Sequence, residues 1–346
     1  PAIISIGMAT GGRLVTNEDM DRILGRKPGL TERLMKNVGI KHRYYVEDGQ
    51  TSSDLGVTAL LEAIIIGDID PSKIGGLFIA NSSPDRLGVT TVADVQNKLK
   101  LPIWTEGSTN SDACAGFLHA LKSGYSYLNE LSGDEDFCAV IGVEVLSLSI
   151  GRDNEYSHLK RRKEAMTVLL GDGAGAVILD KVIPDEGANT KVGFAFGLDG
   201  KYAGDLGIEA GGSKFPLTVE ALQQGRNLLA MDGQLVFDHA ITRMAEATRR
   251  ALIDADMPIE EIDWFIPHQA NRQIIEGVAE ELGVSMEKVI VTIKDFGNTS
   301  SSTIPIALYD AVKKGIIYRN QNIAMTTFGA GFSFGAAVIP MVGLSR

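Results

Sequence analysis

The chain has 346 residues, 44% of them hydrophobic and 22% charged, an ordinary globular composition with length enough for one large or two ordinary domains. A formal charge of −11 argues against a nucleic-acid binder, because a phosphate backbone would be repelled on average. Two cysteines make no disulfide framework, no Cys/His spacing resembles a zinc site, no stretch is apolar enough to span a bilayer, and Pro1–Gly7 lacks a basic signal-peptide flank; the expectation is a cytoplasmic protein without metal or membrane partner. In chain order, Ile3–Met8 reads as a strand, a helix opens at Asn17 and is ended by Pro28-Gly29, and a second helix covers Thr31–Asn37. Thr51–Ile66 is helical in period with Ser52 or Ser53 as cap, Asp70 starts a short turn before the strand Gly76–Ala80, and Val92–Leu99 is helical. Polar Thr109–Asp112 then reads as the cap of a helix whose apolar period begins at Ala113. Phe137–Glu144 is a continuous apolar run of the buried-strand kind, which makes Cys138 a core residue. Ser149–Glu164 is a charged loop holding Lys160–Lys163, read as solvated or, more sharply, as a patch for a phosphate-bearing ligand or an acidic partner. The glycines of Gly171–Gly175 lead into a strand rather than a helix, so they mark a tight strand connection and not a dinucleotide loop.

A second series begins near Lys191: a helix Gln234–Asp254, a strand Ile262–Ile266, a helix to Leu282, a strand Val289–Thr292, the turn-rich Gly297–Pro305, a helix to Lys314, and strands Asn322–Thr326 and Phe334–Pro340 around the turn Phe328–Phe332. Alternation of strand and helix predicts mixed sheets covered on both faces, in two similar α/β halves without a linker.

Three polar residues stand at points where a strand gives way to loop or helix: Cys114, His268 and Asn298. By itself Cys114 reads equally as a small buried hydrophobe; in a helix's first turn, unpaired N–H groups and the dipole would favour its thiolate. His268 and Asn298 are donors able to stabilise charge that a thiol's reaction generates, although each alone reads as structural. The other histidines read blandly: His42 and His158 on the surface, His119 turned away from the thiol, His239 on a long helix. Glycines around Ala330 would let backbone N–H groups approach an oxyanion.

Taken together, Asp112-Ala113-Cys114-Ala115-Gly116-Phe117, His268-Gln269-Ala270-Asn271, Gly297-Asn298-Thr299-Ser300 and Phe328-Gly329-Ala330-Gly331-Phe332, with Gly171–Gly175, resemble in order and spacing the signatures of the β-ketoacyl-ACP synthase III family. The resemblance covers essentially the whole chain. It implies the α/β thiolase fold, two pseudosymmetric halves in five αβαβα layers with mixed sheets, residues 1–185 carrying the nucleophilic cysteine and 186–346 the histidine and asparagine, usually as a homodimer. It implies a decarboxylating Claisen condensation: an acyl-CoA starter acylates Cys114, and a malonyl thioester on acyl carrier protein, or malonyl-CoA, supplies the enolate that yields a 3-oxoacyl product. A starter-unit acyltransferase, or a specialised-metabolite ketosynthase of the same family, is the alternative. Backbone N–H groups of Cys114 and Ala330 would form the oxyanion hole; Thr90, Phe328, Gly329 and Gly331 would line the acyl pocket; no cofactor is implied beyond the CoA thioester substrate. This chain also departs from the family pattern. Arg33 stands where members carry a tryptophan against the CoA adenine, with Lys163 or Glu164 at its arginine partner. Asp238 and Gln273 replace basic residues that dock the carrier, which leaves Arg243, Arg249, Arg250 and Arg272 as candidate CoA or carrier contacts. Thr90, often a phenylalanine, would leave room for a longer or branched chain, and Ala330 replaces a glycine.

Overall fold

In the computed structural model, which describes residues 1–131, 137–150 and 166–344, the apolar runs become two sheets. The first holds β1 (Ala2–Thr10), β2 (Ile74–Ala80), β3 (Glu106–Asn110), β4 (Phe137–Glu144) and β5 (Gly173–Asp180) in the order β1-β5-β4-β2-β3. The second holds β6 (Gly193–Leu198), β7 (Trp264–Pro267), β8 (Asn322–Gly329) and β9 (Ser333–Pro340) in the order β7-β8-β9-β6. Strand directions correspond one to one. β2 is parallel to β4 as β7 is to β8, and β4-β5-β1 runs antiparallel throughout, as does β8-β9-β6. Where the first sheet adds β3 parallel to β2, the second has a lone parallel bridge from Phe265 to Val289. The strand expected over Val289–Thr292 is therefore reduced to one pair, because Thr292 already opens the short helix Ile293–Phe296.

Strand residues alternate between layers with period two, as a sheet covered on both faces requires. Ala139, Ile141, Ala174, Ala176 and Ile178 face outward, onto Leu55, Ala59, Leu60 and Ala63 of the helix Ser52–Gly67. Cys138, Val140, Val177 and Leu179 face inward, onto Phe117, Leu118 and Leu121 of the helix Gly116–Glu130 and Ile304 and Leu308 of the helix Thr303–Lys313. Met325, Ala337 and Ile339 of the second sheet close the same central layer from the other side. Beyond them, Ala324, Ala336 and Val338 receive Ala240, Met244 and Ala251 of the helix Gly233–Asp254. This is the five-layer αβαβα order, and each fully buried Leu, Ile or Phe contributes roughly 1.5–3 kcal/mol to it. Cys138 is wholly buried in the central layer, as its strand pattern indicated.

Local expectations differ in three places. The helix Ser52–Gly67 is capped by Thr51, whose hydroxyl accepts from Asp54 N while the Asp54 carboxylate accepts from Thr51 N; Ser52 and Ser53 already lie inside the helix. The first helix closes at Ile23, ahead of Pro28. β3 has no counterpart among the expected elements: Glu106-Gly107-Ser108-Thr109-Asn110 carries no apolar side chain, because it is a sheet edge with exposed residues rather than a buried strand. The glycine-rich connection into β5 has a packing cause, since a Cβ on Gly175 would lie 2.6 Å from Pro305 Cβ. Among the described residues no helix is long and apolar enough to cross a membrane. Lys160–Lys163, with Lys163, Glu164 and His158, falls outside the described residues.

Candidate active site

β3 ends at Asn110, and the chain enters a single tight turn, Ala113–Ala115, that feeds the helix Gly116–Glu130. The expected cap over Thr109–Asp112 is not made: Thr109 and Asn110 belong to β3, and no side chain caps either the turn or the helix. Ala113 takes a left-handed φ of 46°, which turns the backbone so that Cys114 stands at the junction. Cys114 is partly buried, and its Sγ lies 3.4 Å from Ser300 Oγ. Burial pushes the thiol up to about 12, the hydrogen bond with Ser300 opposes this, and the nearby Glu144 charge adds to the rise. Burial thus works against the expected dipole-stabilised thiolate. A helix start is worth about 0.3–1 kcal/mol to an anion, less than the desolvation it would have to offset.

The second sheet closes on the cysteine from its strand ends. Thr327 Oγ1 on β8 donates to Cys114 O at 2.8 Å. Two residues on, a Cβ at Gly329 would sit 2.9 Å from Cys114 N, so only glycine lets the chain approach that amide. Ala330 follows, and it is not among the non-glycine residues with a positive φ, so alanine fits there; Gly331, at 127°, takes the conformation that alanine would resist. Phe328 is buried against Phe332 with ring centroids 4.8 Å apart.

β7 runs into His268, whose N–H donates to Thr326 O at 2.8 Å. The ring is 2% exposed, Nδ1 lies 2.6 Å from Thr303 Oγ1, and burial pushes its basicity down to about 3, so the imidazole is neutral at physiological pH. Gln269, given no role of its own within the His268–Asn271 motif, fixes this corner. Its amide donates to Pro267 O and Ile290 O, while its oxygen accepts from Thr292 N and Ile293 N. Asn298 is held as a one-residue strand: its N–H donates to Leu169 O and its C=O accepts from Gly171 N. Its side-chain oxygen accepts from Ser300 N at 2.9 Å, which leaves the NH₂ as the outgoing donor.

Ser300 thus touches the whole set. It reaches Cys114 through Oγ, Asn298 through N–H and, by its carbonyl, the Thr303 hydroxyl that contacts His268. It does so with a left-handed φ of 52°, a costly conformation for serine that the surroundings hold. Behind it stands Glu144, wholly buried at the end of β4, accepting from Ser82 N at 3.2 Å, Ser83 Oγ at 2.6 Å and Ser300 Oγ at 3.4 Å. Burial pushes this carboxyl up to about 7 against those hydrogen bonds. The sequence signal for it was a lone acid closing an apolar strand.

The remaining candidate residues lie away from this cluster or are already paired. Thr90 is exposed, its hydroxyl 2.7 Å from Thr109 Oγ1 beside the β3 edge. Arg33 is exposed on the helix Leu30–Val38, and Arg272 packs over Gly39 at that helix's end while pairing with Glu276 at 2.7 Å. Arg243 bridges Asp199 and Glu246 over the Phe334 ring, Arg250 shares Glu246, and Arg249 pairs with Glu281. Arg243, Arg249, Arg250 and Arg272 do not form a bare basic patch, because carboxylates on the same or neighbouring elements pair with them. His119 stacks on Phe196 at 4.1 Å, His239 on Tyr202 at 4.5 Å, and His42 stands 3.8 Å from Asp295. Among the described residues no group of three His, Cys, Asp or Glu could hold a metal ion.

A buried thiol facing neutral donors and strand-end amides can take up an acyl group and stabilise an adjacent enolate or oxyanion. Comparison with known proteins gives the same direction. The profile described as 3-oxoacyl-[acyl-carrier-protein (ACP)] synthase III matches residues 110–200, and that of the same synthase's C-terminal region matches 252–341. A β-ketoacyl-[acyl-carrier-protein] synthase III of Koribacter versatilis is 32% identical over 97% of this chain and 96% of its own length. A 3-oxopimeloyl-[acyl-carrier-protein] synthase of Rhodothermus marinus is 34% identical over 98% of this chain and 93% of its own. A solved β-ketoacyl-[acyl-carrier-protein] synthase III from Thermus thermophilus superposes with a TM-score of 0.84 at 30% identity, covering 98% of this chain and 99% of that one.

Proposed function

Because the chain belongs to the 3-oxoacyl-[acyl-carrier-protein] synthase III family and has its thiolase-type fold, we propose that Cys114, His268 and Asn298 carry out that family's condensation here. The chain is an acyl-transferring condensing enzyme. Cys114 attacks the carbonyl of an acyl-CoA starter, and the N–H groups of Cys114 and Ala330 receive the oxyanion, with Gly329 keeping that approach open. The resulting acyl-enzyme meets a malonyl thioester, on acyl carrier protein or on CoA. His268 and Asn298 then donate to its carbonyl oxygen as carbon dioxide leaves and the enolate forms. The enolate carbon attacks the acyl-Cys114 carbonyl and releases a 3-oxoacyl thioester. Charge on that oxygen develops only in this step, so preorganised donors lower its barrier more than they tighten binding.

For the imidazole to donate at Nε2, Nδ1 must be the acceptor. The Thr303 hydroxyl, 2.6 Å from Nδ1, then turns its one proton onto the ring from Ser300 O, to which it otherwise donates. The single observation that carries the reading is the Ser300 hub, which holds the thiol, the amide and the imidazole to one residue. A division near 185/186 places the acyl-holding thiol in one half and the enolate donors in the other. No cofactor or metal is required beyond the thioester substrates, and a cytoplasmic enzyme fits these substrates. A second copy of the chain fits the unpaired edge of β3, which is flanked by Ile103 and Trp104, 86% and 90% exposed, with Leu87 at 86% and Thr90 on the same rim. A homodimer there puts Thr90 at the subunit boundary, where it bounds the acyl pocket. Exposed Arg33, and Arg272 packed over Gly39 at the same helix's end, are the candidate contacts for CoA or carrier phosphates.

The test is intact mass after incubation with a panel of acyl-CoAs, followed by malonyl-ACP or malonyl-CoA. Wild type gains an acyl adduct and then releases a 3-oxoacyl thioester with carbon dioxide; Cys114→Ala gains none, and condensation falls on the order of 10³-fold or more. An adduct that never condenses with either donor overturns condensation in favour of starter-unit acyl transfer.

A further inference from the structure

The mechanism leaves one proton without a destination: the thiol of Cys114 must lose it as the acyl bond forms. His268 is committed as a neutral donor with Nδ1 against Thr303, and its burial makes it a weak base near 3. On the other side of the sulfur lies a buried carboxyl that the condensation has not used. Cys114 Sγ is 3.4 Å from Ser300 Oγ, and Ser300 Oγ is 3.4 Å from Glu144 Oε1. We propose that the thiol proton passes through the Ser300 hydroxyl to Glu144, which holds it while Cys114 is acylated and returns it when the product leaves.

The steps balance. Cys114–SH, the Glu144 carboxylate and acyl–S–CoA give acyl–S–Cys114, Glu144–COOH and the CoA thiolate, which takes its proton from solvent. Malonyl loses carbon dioxide and its enolate attacks. The C–S bond to Cys114 breaks, the thiolate takes the proton back through Ser300, and Glu144 is again ionised. Ser300 is the group that touches the reacting sulfur; Glu144 acts through it and is a positioning residue.

Three features of the site support this assignment. Glu144 is wholly buried, and its other partners, Ser82 N–H and the Ser83 and Ser301 hydroxyls, are neutral donors, so no cation offsets its charge there among the described residues. The titratable neighbour that feels that charge is Cys114 itself. Pushed up to about 7, the carboxyl also lies far nearer the thiol's range than the imidazole does. Protonation of Glu144 in the acyl-enzyme has a second consequence: it removes a negative charge from beside the place where the malonyl carboxylate and enolate must sit. Both links of the relay are long in the resting state, and such bonds shorten when substrate fills the site.

The inference rests on acyl transfer to Cys114, so the experiment follows the two half-reactions separately. Acyl-adduct formation is followed by mass across pH 5 to 9 in wild type, Glu144→Gln, Ser300→Ala and the double variant, and malonyl decarboxylation is measured alongside. Wild-type acylation should rise through about pH 7 and level off. Each single variant should acylate on the order of 10²-fold more slowly, lose that inflection and rise with hydroxide instead, and the double variant should be no slower than either. The loss should be confined to acylation, which a merely structural role would not produce. Acylation in Ser300→Ala within about threefold of wild type with the inflection kept, equal loss of both half-reactions there, or multiplying losses in the double variant each overturns the relay. Should Glu144→Gln not fold, Ser300→Ala decides alone. A wild type that forms no adduct would instead sink the condensing reading itself.

Discussion

The two sheets share strand order and direction, yet their strand ends carry different chemistry. In the first half, β3 leads through a tight turn to Cys114 and the central helix Gly116–Glu130. At the same position in the second half, the Val289 bridge leads to Asn298, Ser300 and the central helix Thr303–Lys313. At the end of β2 stand Asn81, Ser82 and Ser83, wrapped around an ionisable Glu144; at the end of β7, the matching strand, stands a neutral His268. Duplicated architecture has been divided. On the proposed reading, one half holds the acyl group and, by the relay, its proton, and the other supplies uncharged donors to an enolate.

Removing the donors should break the division most sharply. Asn298→Ala or His268→Ala should lose condensation by on the order of 10²–10³-fold while intact mass still shows acyl-Cys114. Equal loss of acylation would mean that the two halves do not separate the steps. Next in size are opposite responses of stability to pH. His268 sits below its ordinary value, so the folded state keeps this contribution above about pH 6.5 and loses it as pH falls toward 3. Glu144 sits above its ordinary value, so its contribution is whole below about 4.5 and is lost as pH rises to about 7. Denaturant titrations should therefore show His268→Gln flattening the acid limb by at most about 5 kcal/mol and Glu144→Gln flattening the neutral one by at most about 3 kcal/mol. A variant that leaves its limb unchanged removes that half from the argument. The smallest effect sharpens the boundary at β3: Trp104→Glu should shift sedimentation from dimer toward monomer by on the order of tenfold or more in Kd, with unfolding of the protomer little changed. An unshifted dimer would place the second copy elsewhere.

Much of this was legible before the fold was known. The buried strands Phe137–Glu144 and Asn322–Thr326 are apolar because both faces are covered, and His268 stands where such a strand ends, whereas Cys114 follows a polar edge strand and Asn298 a short helix. What was not legible had physical causes. β3 is polar because an edge strand buries little, and Val289 keeps one bridge because a helix starts three residues later. Thr51 out-competed two serines as cap because Asp54 stood at the position that completes the box. Arg249, Arg250 and Arg272 looked available because their glutamate partners lie on other turns or other helices.

Sequence by itself determined the alternating strands and helices of two α/β halves, since period-two strands and period-3.6 helices are local properties of the chain; the layer order and the proposed roles of Cys114, His268 and Asn298 came through the resemblance of their motifs to a family. Tertiary structure alone decided the state of those groups. Whether Cys114 is thiol or thiolate, whether His268 is charged, and which carboxyl can take a proton depend on desolvation and on hydroxyls contributed from far along the chain. Ser300 meets Cys114 across 186 residues and Glu144 across 156, separations that no local pattern records.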